Sequence, residues 1–174
     1  SDVCSSDLVT GPFSINDTFD FTVATVDDAI QEGNEDFDVN ITAATVDGNA
    51  ATVAGAVTTV ITDNDTAVFT LTGDANVTEG GSANYTVTLT GADIGAGQTV
   101  VIDIDTADGS AINPADFGDL QNVDYNAGTG QLTVTGPFSI NDTFDFTVAT
   151  VDDAIQEGNE DFDVNITAAR SEEH

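Results

Sequence analysis

The stretch VDDAIQEGNEDF occurs twice, from Val26 to Phe37 and again from Val151 to Phe162. Such a run offers oxygen donors only. It can hold a cation, act as an acid–base pair, or stand in water. The chain carries 32 Asp and Glu against one Lys or Arg and one His, a formal charge of −31, so nothing basic is on hand to neutralise the loops. Crowded carboxylates repel one another and hold protons, a cost that a bound divalent cation reverses. Taken alone, the loop fits solvated surface acids as well as it fits a cation site.

The inventory argues against catalysis. The single Cys is Cys4, the single basic side chain Arg170 and the single His His174, all close to the chain ends, so the usual nucleophile–base pairs and phosphate clamps cannot be assembled. Carboxylate pairs can hydrolyse glycosides. A sugar site, however, needs aromatic platforms, and there is no Trp, while Tyr85 and most of the ten Phe fall at strand-core spacing. DIDTADGS from Asp103 resembles an EF-hand loop only superficially. Ala107 and Pro114 stand where oxygen ligands belong and Gly109 is out of register, so the segment reads as strand and turn. Gly80-Gly81 reads as a turn, since no basic residue or helix start accompanies it.

The two ends read as foreign. Ser1 to Leu8 resembles the in-frame translation of a short-read sequencing adapter, and Arg170 to His174 resembles the translation of the reverse complement of that adapter's end. Both are expected to be scars and are set aside from fold reasoning. What remains, Val9 to Ala169, is expected to be an internal piece of a longer protein and has no cation, His or Cys. So acidic a chain repels itself at low salt and is a poor partner for nucleic acid or an anionic membrane. Without a thiol there is neither a disulfide framework nor a thiolate metal site. No apolar run is long enough to span a bilayer, and no membrane insertion is expected.

Acidity alone would suggest disorder, but 40% of the residues are hydrophobic and they alternate. Tyr85, Val87 and Leu89 share one face of a strand. Val100, Ile102 and Ile104 share another, as do Phe144, Phe146 and Val148, and then Phe162, Val164 and Ile166. Runs rich in Thr and Val are poor helix material and show no 3.6-residue period. Turn-formers punctuate them at Gly80-Gly81, Gly91 to Gly97, Asp108-Gly109, Asn126 to Gly130 and Gly158-Asn159. The spacing predicts an all-β, immunoglobulin-like antiparallel β-sandwich.

Val9 to Ala44 recurs unchanged as Val134 to Ala169. The chain therefore reads as a tandem array cut twice: residues 9–66 are the second half of one unit, and residues 67–169 are the next unit without its last strand. The missing strand should be like AGAVTTVITDNDT, Ala54 to Thr66, which follows the equivalent point of the first copy. One sandwich per repeat fits the strand count better than a solenoid, whose units are much shorter.

In this order, VTEGGSANYTVTLTG, DTADGSAINPADF, VDDAIQEGNEDFDVNI and TTVITDNDT resemble the successive blocks of a Calx-β domain. That family is an immunoglobulin-like calcium-binding module of sodium/calcium exchangers and of large bacterial surface proteins. The repeat is longer than is usual for it, through wider loops around Gly91 to Gly97 and Gly118 to Gly130. The resemblance implies Ca2+ at one end of the sandwich, held by Glu79, Asp116, Asp153, the carbonyl of Ile155, Glu157 and Glu160. In the preceding unit it implies Asp28, Ile30, Glu32 and Glu35 with Asp63 and Asp65. The triplet Asp63-Asn64-Asp65 carries an amide where the pattern has a third carboxylate. Calcium suits such a set because it is hard and takes six to eight oxygens in irregular geometry. The function implied is a structural spacer in an extracellular or cell-surface adhesin-like bacterial protein, with neighbouring repeats of the same chain as partners. The alternative is a module that binds a glycan or a host protein.

Overall fold

The computed structural model describes residues 11–156 and 158–172, with the side chain of residue 172 excepted, and every regular element among them is a β-strand. Before Ala67 there are five: β1 (Ile30–Gln31), β2 (Glu35–Asn40), β3 (Ala44–Val46), β4 (Asn49–Ala51) and β5 (Ala56–Ile61). β2 and β5 pair antiparallel with Phe37 opposite Thr59. Between them β3 and β4 form a hairpin closed by Asp47-Gly48, both at positive φ (50° and 76°). That is the two-residue turn whose twist matches the strands it joins. This portion buries little: Phe21 is 86% exposed and Val57 63%.

Eight further strands follow: β6 (Val68–Gly73), β7 (Ser82–Thr90), β8 (Asp93–Ile94), β9 (Thr99–Asp108), β10 (Tyr125–Asn126), β11 (Gln131–Thr135), β12 (Thr143–Ala149) and β13 (Phe162–Glu172). β12, β7 and β6 form one sheet in that order, and β10, β11, β9 and β13 the other. The inward residues of the two sheets form one core. Val87, Leu89, Phe146 and Val148 meet Val100, Ile102, Ile104 and Leu132, with Phe117 and Leu120 packed in from the long connection after β9. Phe162 stacks on Phe117 with ring centroids 4.3 Å apart, and Tyr125 meets Phe146 edge to face while its hydroxyl donates to the carbonyl of Ile104. The expected alternation thus builds the expected all-β sandwich, and Asp103–Asp108 runs as strand within β9.

Antiparallel pairing decides which loops meet. Ala149, the last residue of β12, lies opposite Ser82, the first of β7; Phe162, the first of β13, lies opposite Asp108, the last of β9. The connections β6–β7, β9–β10 and β12–β13 therefore emerge at one end of the sandwich.

β13 does not stop at Ala169. A register shift between Ile166 and Ala168 lets the strand continue, so that Ala169, Arg170, Ser171 and Glu172 pair with Ile102, Val101, Val100 and Thr99. Arg170 Nη1 donates to Asp103 Oδ2 at 3.0 Å. The first residues of the adapter-like tail thus take part in the sheet. Any backbone beside β9 that offers paired N–H and C=O groups can do so, whatever its origin. Residues 1–8, 173 and 174 of the two end segments lie outside the described residues.

Candidate metal centre

The three connections enclose a cleft of about 500 Å³ with a mainly polar lining. Glu79 enters it from the β6–β7 loop, Asp116 from the loop after β9, and Asp153 and Glu160 from the connection between β12 and β13. Asp74, Asp161 and Tyr85 line it as well. The loops are tied to one another by hydrogen bonds to main-chain carbonyls. Thr150 donates its N–H to the carbonyl of Gly81 and its hydroxyl to that of Thr78, Val151 donates to the carbonyl of Asp116, and Gly118 to that of Ala149. Gly80, at φ +72°, allows the closest approach: a Cβ there would stand 2.9 Å from Cβ of Asp152.

Within this frame the carboxylates accept local bonds. Asp116 Oδ2 takes the N–H of Ile112 at 2.8 Å, and Asp153 Oδ1 takes the N–H of Ile155 at 2.7 Å. Asp161 takes both the hydroxyl and the N–H of Ser110, which hold its carboxyl below the usual carboxylate value. Asp74 is likewise held low by the backbone N–H and side-chain amide of Asn84. Both line the cleft and neither was singled out from the sequence. The only signal for Asp161 was its place directly after Glu160.

The earlier copy of the loop gathers a second acidic group. Asp28 Oδ1 takes the N–H of Ile30 at 3.0 Å, the bond that Asp153 makes in its own copy. Asp63 Oδ2 takes the N–H of Glu32 at 2.7 Å and Oδ1 that of Asp65 at 2.9 Å, and these donors hold Asp63 low. Asp65 is pushed up, first by lost solvation and then by the negative charges of Asp63, Asp27 and Asp28. Asp27, which the sequence did not single out, adds its negative charge to those of Asp63 and Asp28 around Asp65. Glu35 opens β2 opposite Ile61, and Ile30 lies in β1, paired with Asp93.

Of the residues expected around the later loop, Glu79, Asp116, Asp153 and Glu160 share the cleft, Ile155 is 64% exposed, and Glu157 lies outside the described residues. Among the described residues no three His, Cys, Asp or Glu side chains are gathered tightly enough to hold a metal ion. The donors still fit one class of ion: with carboxylate and carbonyl oxygens alone, a hard cation of flexible coordination is preferred over zinc or copper.

The Calx-beta domain matches residues 14–66 and again residues 62–174. The chain belongs to the Calx-beta family. The two matches overlap at residues 62–66, around the Asp63-Asn64-Asp65 triplet. Calx-beta is a calcium-binding β-sandwich family of structural, non-catalytic domains. No curated protein and no solved structure matches the chain.

Proposed function

We propose that this Calx-beta chain is a calcium-binding structural repeat that serves as an extender in a long extracellular, adhesin-like protein on a bacterial surface. The observation that carries the calcium reading is the cleft, in which Glu79, Asp116, Asp153 and Glu160 arrive from three connections at one end of the sandwich. Glu157 completes the set in this reading. In the preceding unit Asp28, Glu32, Glu35, Asp63 and Asp65 hold the ion with the carbonyl of Ile30. An ion there offsets the repulsion among the carboxylates and draws the loops together. The spacer role is supported by the recurrence of the same loop, because reach grows with copy number whereas a unique binding site does not need repetition.

Thermal melting of the full chain at fixed ionic strength tests the reading. About a hundredfold excess of calcium over Kd should add roughly 2.7 kcal/mol to stability. Magnesium should substitute poorly, because it demands tighter octahedral geometry. A melting curve that does not move on adding calcium or chelator at matched salt overturns it.

A further inference from the structure

The acidic loop of the earlier copy is also an attachment. β1 pairs in parallel with β8, with Ile30 beside Asp93 and Gln31 beside Ile94. Asp93 N–H donates to the carbonyl of Ala29 at 2.8 Å. Gln31 is held at both ends: its Oε1 accepts the N–H of Ala67 at 2.7 Å, and its main-chain carbonyl accepts Nε2 of Gln98 at 2.8 Å. Its Nε2 in turn donates to Ser171 Oγ at 2.8 Å. A side-chain amide donates and accepts at once, which suits this position. Ile30 packs beside Gly95, where an added Cβ would meet its Cγ2 at 3.4 Å. Ile30 and Gln31 are half-buried as a result.

The same residues recur as Ala154-Ile155-Gln156, and there Ile155 is 64% exposed and Gln156 is exposed. We propose that Ala154-Ile155-Gln156 is a docking element for a following repeat of this sequence. It grips the face that Ala67, Asp93, Gly95 and Gln98 present as Ala29-Ile30-Gln31 grips it here. The inference rests on the reading of the chain as part of an array. The occupant is set by the molecule itself, since the identical tripeptide is already seated on such a face. A short parallel ladder with a few hydrogen bonds is weak between separate molecules. Between neighbours on one chain, the high effective concentration makes it sufficient. The loop that carries the acids would then also set the angle between successive units.

The test compares the full chain with a form in which residues 45–169 and then residues 45–66 follow Ala169, so that the added unit has its last strand, both with Cys4→Ser. A single thiol is placed by Ile30→Cys or by Ile155→Cys, and its rate of modification by a soluble disulfide reagent is measured. In the chain as it stands, the thiol at position 30 should react about tenfold more slowly than that at position 155, as expected of a site that must open before it reacts. In the extended form the thiol at position 155 should slow to the rate seen at position 30, and Gln156→Ala should restore the fast rate. An unchanged fast rate at position 155, in an extended form whose added unit melts cooperatively, overturns the docking and leaves the array reading standing. Slowing that survives Gln156→Ala overturns the docking too. An added unit without a cooperative transition overturns the array reading and the docking with it.

Discussion

At the scale of single residues, the carboxylates divide by what donates to them. Asp116 stands in the cleft with one oxygen on the N–H of Ile112, a bond that an amide oxygen at that position can also accept. Asp116→Asn therefore removes charge from the centre without removing the acceptor that shapes the loop. It should weaken calcium binding about tenfold or more, because affinity follows ligand charge. Asp163→Asn, on the exposed face of β13, should leave affinity unchanged; isothermal titration of both variants makes the comparison. Asp74 tests the electrostatics without the ion. Asn84 holds its carboxyl below the usual value, so its contribution to stability is present above about 3.8, the ordinary Asp value, and is lost as pH falls through the lowered one. The difference in melting temperature between the parent and Asp74→Ala should shrink across that window. A difference that stays constant from neutral pH to pH 2 would mean that Asn84 does not favour the ionised form.

At the scale of elements, one connection and one strand edge are exposed to test. Gly80 combines φ +72° with a close approach to Asp152. An Ala there suffers a left-handed backbone and a clash in the loop that carries Glu79. Gly80→Ala should cost about 1–3 kcal/mol in chemical denaturation and weaken calcium binding with it. β13 raises a different matter. Its first residues repeat the sequence of β2, but among the described residues β5, the partner of β2, has no counterpart beside β13, which is the outer strand of its sheet. An open strand edge invites pairing with another chain. The chain should self-associate reversibly in sedimentation velocity, and placing residues 45–66 after Ala169 should return it to a monomer with a cooperative transition. A chain that is already monomeric at high concentration would mean that the edge is protected in some other way.

At the scale of the whole molecule, burial separates residues whose local sequence is the same. Phe21 and Phe146 sit in identical surroundings along the chain, yet Phe21 is 86% exposed and Phe146 is 1% exposed between two sheets. Phe146→Ala should cost about 3–5 kcal/mol in denaturant unfolding. Phe21→Ala should cost less than about 0.5 kcal/mol, as for a surface site. Equal losses would show that the earlier copy also finds a core. The net charge of −31 acts on all of this together, and monovalent salt should raise the melting temperature by screening self-repulsion before any calcium is added.

Period-two alternation made the sandwich legible, because Val87, Leu89, Ile102, Ile104 and Val148 can bury one face only as strands, and all five are buried. The turn at Gly80-Gly81 and the strand character of Asp103–Asp108 were legible for the same local reasons, a positive φ that suits Gly and an EF-hand pattern without its ligands. That acids of the repeated loop stand near Glu79 and Asp116 entered only through the order of family-like blocks. Spacing along the chain does not say which loop ends share one edge of a sandwich; the pairing of Ala149 with Ser82 and of Phe162 with Asp108 decides that. The roles of Asp27, Asp74 and Asp161 are not legible along the chain because they come from residues that strand pairing and loop packing bring close: Asp65, Asn84 and Ser110. Period, repeat and charge can be read along the chain because all three are local properties of composition and order. Which copy of an identical segment is seated and which is open follows from the folded arrangement, since burial depends on what lies across the gap and the two copies have different neighbours.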